Sequence, residues 1–174
     1  RLPRGASLIH ETKTQKLVST PKTGPAEPGT AQLRGADDPF SCVAEELKLV
    51  EDNLIRAIRS RERDLTEISA HLVHSGGKRV RPMVTVLAYL AFGGKRIQDI
   101  VDIATAIELI HTATLLHDDI IDGAETRRGK ESAYKKFGLK STLVAGDFLF
   151  IKAFEFAGKF DETVVQWTAG ACTL

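Results

Sequence analysis

The sequence has little cysteine, almost no net charge and no long apolar run, and each shortage removes a class of explanation. Its 174 residues include two cysteines, Cys42 and Cys172. These are too few and too far apart for a zinc-ligand spacing or a disulfide framework. They read as ordinary thiols of a reducing compartment. The formal net charge is +1, so no overall field argues for nucleic acid or an anionic membrane surface, and any charge-based function is local. No uninterrupted apolar run approaches the ~20 residues of a membrane span, and no signal-peptide core opens the chain. The expectation is therefore no nucleic-acid partner and no transmembrane segment. No stretch alternates with period two long enough to build a sheet. No Ser/His/Asp or Cys/His pattern marks a covalent nucleophile.

Proline is scarce where structure is expected. Five of the six prolines, Pro3, Pro21, Pro25, Pro28 and Pro39, fall within residues 1–40. That segment shows no sustained apolar periodicity and cannot bury enough surface to offset chain entropy, so it reads as a disordered or leader segment. Its excess of Lys/Arg and its many Ser/Thr faintly resemble an organellar transit peptide; a fusion scar or plain linker fits at least as well. A cytoplasmic protein is expected, with an organelle as the alternative if residues 1–40 are a transit segment. The chain begins with Arg1 and stops at Leu174 inside a helical pattern, so a truncated domain over residues 41–174 is expected.

What is present from Ser41 onward is helical periodicity. Val43, Leu47, Val50, Leu54, Ile55 and Ile58 fall at three- and four-residue steps, with Ser41 as a candidate N-cap. Leu65, Ile68 and Leu72 carry a second helix towards His74, and Ser75-Gly76-Gly77 breaks it. Pro82 sits in the first turn of a third helix, which Gly93-Gly94 ends. A long helix spans about Ile97 to Ile121, a charged loop covers 123–140, and Leu143–Ala157 and Glu162–Leu174 form two more helices. The domain is all-α.

The long helix ends in LIHTATLLHDDIIDGAETRRG, Leu109 to Gly129. Asp118 and Asp122 are four residues apart, one turn above the other, with Asp119 beside them. Two carboxylates on one turn repel unless a cation sits between them, and hard oxygen donors of this kind suit Mg²⁺. The bland alternative is a solvated helix end; acids at a helix C-terminus oppose the macrodipole, which argues against it. His111 lies two turns before Asp118, and by itself it reads more readily as a satisfied core histidine than as a ligand. His117 reads as structural. Arg127-Arg128-Gly129 follows, and two adjacent guanidiniums near a metal site suit a diphosphate. A second basic motif, Gly76-Gly77-Lys78-Arg79-Val80-Arg81-Pro82, pairs a close-approach backbone with a helix N-terminus. Lys78 and Arg81, one turn apart, are placed to clamp a single phosphate.

Together these residues resemble the trans-isoprenyl diphosphate synthases, or polyprenyl synthetases. GGKRVRP is similar to that family's first basic motif, DDIID to its first aspartate-rich motif, and RRG to the arginine pair that follows; LVAGDFLF also resembles the family. The resemblance implies an antiparallel helical bundle around a deep cavity, normally a homodimer. It implies condensation of an allylic diphosphate with isopentenyl diphosphate to a trans-polyprenyl diphosphate. Carried over, Asp118 and Asp122 hold Mg²⁺, with Asp119 in the same acidic cluster. Arg127 contacts the allylic diphosphate, and Lys78, Arg81, His111 and Arg128 form the isopentenyl diphosphate pocket. Small Ala113 and Thr114, one turn before Asp118, leave the product pocket open, which implies a product of C20 or longer. The family's second aspartate-rich motif lies outside this chain, so little turnover by the chain alone is expected. Two rivals are a class I terpene synthase, which needs no second basic site, and a non-catalytic helical subunit of a heteromeric synthase.

Overall fold

The computed structural model describes residues 41–171, and the reading of residues 1–40 and of Cys172 lies outside them. A 3₁₀ turn, Ser41–Val43, leads into α1 (Ala44–Ala57). Then come α2 (Arg63–Val73), α3 (Val80–Ala91) and α4 (Ile97–Ile121). A small hairpin follows, β1 (Thr126–Arg127) and β2 (Lys130–Glu131), then α5 (Ala133–Phe137), α6 (Leu139–Ala157) and α7 (Glu162–Ala171). The fold is all-α, as the periodicity indicates.

Two local expectations are corrected. Ser41 does not cap α1: the cap position is Val43, which makes no side-chain cap bond and is fully buried. Full burial of the valine, worth about 1.5–3 kcal/mol, exceeds the roughly 1 kcal/mol a serine cap typically contributes. The supposed loop at 123–140 is structured, and α6 begins at Leu139 rather than Leu143. Ser132 caps α5 by accepting the Lys135 N–H at 3.1 Å and donates its own hydroxyl to the Ala124 carbonyl. Gly138, at φ 82°, then reverses the backbone so that α6 starts at once.

Helix α4 is the axis of the bundle, packed along α6 and flanked by α1 and α3, while α2 and α5 lie against α6. Side-chain pairing sets its direction. His117, late in α4, meets Leu143 and Asp147 early in α6, whereas Asp102, early in α4, takes Lys159 just beyond the end of α6 at 2.8 Å. The two helices are therefore antiparallel. Close approach near His117 requires Gly146: a Cβ there would lie 2.2 Å from His117 Nε2. The core gathers Val50, Leu54, Ile68, Val86, Val101, Leu109, Leu116 and Leu149, all at most 1% exposed. Within it Asn53 donates to Asp102 and to Thr105, joining α1 to α4 by satisfied polar groups. Among the described residues only α4 is long and apolar enough to cross a membrane by length and composition, and 61% of its most apolar window is buried. Packing on three other helices makes it a core helix here.

Candidate active site

The last two turns of α4 present two chemically different faces. Asp118 and Asp122 are both exposed on the outer one, and Asp122 closes the helix through its N–H to the Asp118 carbonyl at 2.8 Å. Among the described residues neither carboxylate has a cation within salt-bridge distance, and α4 has no basic residue in its last turn. Two unneutralised hard oxygen donors stacked at the negative end of a helix are a donor set that Mg²⁺ fits, with water and phosphate oxygens completing the shell. No three such side chains converge among the described residues. The protein thus offers part of a coordination sphere.

Asp119 lies on the other face. It is 0% exposed and receives Arg127 Nε at 2.7 Å and Arg127 Nη2 at 2.6 Å, both on Oδ1, while Oδ2 has no partner. A buried carboxylate needs such a pairing, because desolvating it alone is costly. Asp119 therefore stands apart from Asp118 and Asp122 in this structure, and it holds Arg127.

The RRG motif has a conformational reason as well as a charge. Thr126 pairs with Glu131 and Arg127 with Lys130, leaving Arg128-Gly129 as a two-residue hairpin turn with φ 52° and 75°. Positive φ at both positions matches the type I′ turn, whose twist suits the flanking strands. The turn separates two sequence-adjacent arginines. Arg127 reaches back to α4, and Arg128 reaches to Gly77 of the other basic motif, where a Cβ would meet its Nη1 at 3.1 Å. Glycine at 77 thus admits a guanidinium.

Of the first motif's cations, Lys78 and Arg81 are exposed and, like Arg128, have no carboxylate partner among the described residues. Arg79 is bound internally to Glu51, Glu108 and the Val73 carbonyl. Arg81, His111 and Thr114 line a cavity of about 490 Å³ whose other walls are Ile103, Ala106, Ile107 and Ile110 of α4, Ala157, and Val164, Trp167 and Thr168 of α7. Ala113 is fully buried and lies outside that lining. Burial lowers the His111 pKa, and Arg81, Arg128 and Arg127 push it the same way against Glu108, so the ring is neutral near pH 7. The structure accordingly brings Arg81, Arg128 and His111 to one side of α4's end, with exposed Lys78 next in sequence to Gly77, and Asp118 and Asp122 to its tip.

The sequence reading passed over the α7 wall and over Glu51 and Glu108. Part of the wall was legible: Ile103, Ile107, Ile110 and Thr114 follow the three- and four-residue steps that lead on to Asp118 and Asp122.

A helical bundle that joins acidic and basic sites at one end of an apolar cavity is the architecture of an isoprenoid synthase. The chain belongs to the polyprenyl synthetase family, whose model matches residues 62–173. It is 39% identical over 116 residues to heptaprenyl diphosphate synthase component 2 of Geobacillus stearothermophilus, a match covering 67% of this chain and 36% of that protein. Among solved structures it resembles a decaprenyl diphosphate synthase from Rhodobacter capsulatus, with TM-score 0.74, 34% identity, and 78% of this chain and 42% of the other covered. It also resembles a polyprenyl synthase from Caulobacter crescentus CB15 complexed with calcium and isoprenyl diphosphate, with TM-score 0.73, 32% identity and coverage of 77% and 41%. The chain spans somewhat more than a third of the length of the heptaprenyl relative it matches.

Proposed function

We propose that this chain supplies the first metal-and-diphosphate half of a trans-prenyltransferase site that joins an allylic diphosphate to isopentenyl diphosphate. One observation carries the reading: an apolar cavity is lined by the unpaired cation Arg81 and by Thr114, which lies one helical turn before the unpaired carboxylate pair Asp118 and Asp122. Two separated charge sets match two diphosphates, and the cavity matches a hydrocarbon tail. The apolar stripe Ile103, Ile107, Ile110 and Thr114 would take the growing chain, and small Thr114 leaves it open for a product of C20 or longer.

Asp118 and Asp122 would hold Mg²⁺, which when bound would supply charge neutralisation to the diphosphate leaving group. The chain's own residues do the rest. Asp119 holds the Nε edge of Arg127 and leaves Nη1 uncommitted for a phosphate oxygen of the allylic substrate. Lys78, Arg81 and Arg128 bind the second diphosphate as fixed positive charges, and His111 donates to it from the cavity wall. The apolar lining excludes water from the allylic cation.

The second, basic site separates this reading from a cyclase, which requires one diphosphate only. Isopentenyl diphosphate should bind the chain in calorimetry, and Lys78→Ala and Arg81→Ala should each weaken it about tenfold. Unchanged affinity in both variants contradicts the reading. With labelled isopentenyl diphosphate and an allylic primer, the chain alone should turn over little, since the second aspartate-rich motif that the family resemblance implies lies outside it. We further propose a second copy as partner: α6 exposes Leu143, Val144, Ile151 and Phe154 along one side, a stripe of the kind that marks an interface. Sedimentation should show a dimer that Ile151→Glu dissociates; a monomeric wild type removes this part.

A further inference from the structure

The basic motif contains one cation that the proposed chemistry does not use. Arg79 sits between Lys78 and Arg81, yet its guanidinium is committed on every side. Nε donates to Glu51 Oε2 at 2.9 Å and Nη2 to Glu51 Oε1 at 3.1 Å, a bidentate pair with α1. Nη1 donates to Glu108 Oε1 of α4 at 3.0 Å, and Nη2 also reaches the Val73 carbonyl at the end of α2 at 2.9 Å. Glu108 is 4% exposed. Burial opposes the charge on Arg79, but its hydrogen bonds to Glu51 and Glu108 prevail and raise its pKa.

Its backbone is equally constrained. Arg79 has φ 47°, a left-handed conformation that disfavours any residue with a Cβ, and it occupies the position immediately before α3. Arg128 across the site is likewise left-handed, at φ 52°. Both guanidiniums approach the same spot: a Cβ on Gly77 would lie 3.1 Å from Arg128 Nη1 and 3.5 Å from Arg79 Nη1. Two carboxylates on Arg79 leave one formal negative charge beside Arg128, which helps hold two close guanidiniums before any anion arrives.

We infer that Arg79 is a positioning residue and not a diphosphate ligand: with Glu51 and Glu108 it locks the first basic motif onto α1, α2 and α4, fixing Lys78, Arg81 and Arg128 for the isopentenyl diphosphate. The inference rests on the diphosphate reading of that site. Only a planar fork serves here, because a lysine ammonium cannot reach Glu51, Glu108 and Val73 in their separate directions at once.

The sign of one substitution tests it. Coulomb's law alone says that removing a negative charge near an anion site tightens anion binding. Loss of a positioning carboxylate does the reverse. Glu108→Gln should therefore weaken isopentenyl diphosphate binding roughly fivefold in calorimetry, and Arg79→Lys, which keeps the charge, should do likewise. In ¹⁵N spectra of the wild-type chain, the Arg79 Nε–H signal should stay in place as isopentenyl diphosphate is added while those of Arg81 and Arg128 move. Tighter binding by Glu108→Gln, or a shift of the Arg79 signal as large as that of Arg81, overturns the inference and leaves the diphosphate reading standing. No binding by the wild-type chain removes both. Circular dichroism checks each fold, and if Glu108→Gln does not fold, the more exposed Glu51→Gln takes its place with the same expected sign.

Discussion

At the scale of single residues, identical side chains acquire different work from their surroundings. Asp118 and Asp119 are neighbours, yet one is exposed without a partner and the other is buried on Arg127. Asp119→Asn should destabilise the fold by about 3–5 kcal/mol, as expected when a buried pair loses one charge. Asp118→Asn should change stability by less than about 0.5 kcal/mol, as at exposed positions, or raise it by relieving repulsion with Asp122. Denaturant midpoints compare the two directly, and equal losses would contradict the assignment. His111 adds a pH dependence. Its folded pKa is depressed by burial and by nearby arginines, so the unfolded chain binds the extra proton first. Stability contributed by this group is present above the ordinary histidine value near 6.5 and is lost as pH falls below it. A bound diphosphate reverses that bias, because its negative charge favours the imidazolium. Binding near pH 7 should therefore take up protons, visible as a calorimetric enthalpy that varies with buffer ionisation heat, and His111→Gln should abolish that variation.

At the scale of elements, periodicity made most of the fold legible and local chemistry hid the remainder. The bounds of α4 were readable because Ile97 to Ile121 is continuously periodic and Gly123 follows. Short α5 was not, since Ala133 and Phe137 are its apolar contacts and Lys135 and Lys136 stand between them. Arg127-Arg128-Gly129 read as charge alone, although its glycine completes a hairpin turn that aims the two arginines at different partners. Asp119 read as a third member of the acidic cluster because spacing along a helix does not say which of two adjacent acids a distant loop will claim. The α4–α6 contact offers an element-scale test. Gly146→Ala would normally gain up to about 1 kcal/mol of helix propensity. Here the new Cβ would fall 2.2 to 3.0 Å from three His117 ring atoms, so the substitution should lower the melting temperature. In a His117→Ala background the same change should raise it; stabilisation in both backgrounds contradicts the packing described.

At the scale of the whole molecule, α4 links three layers of function along one side. Its first turns join α1 through Asn53 and Asp102, its middle lines the cavity, and its end offers Asp118 and Asp122. Trp167 of α7 closes part of the opposite wall yet is 74% exposed, so the cavity has an open flank on the α7 side. Thr114→Phe should fill the cavity one turn before Asp118. Affinity for a C20 allylic diphosphate should then fall by about tenfold or more relative to a C10 one, read by competition binding. The central claim, that α4 ends in a magnesium–diphosphate site, has a direct test. The chain is titrated with an allylic diphosphate in the presence and absence of Mg²⁺, beside the Asp118→Ala/Asp122→Ala variant. The account predicts Mg²⁺-dependent binding by the wild-type chain that the double variant loses, while isopentenyl diphosphate binding at Lys78 and Arg81 persists in both. Equal Mg²⁺-dependent binding by wild type and double variant would contradict it.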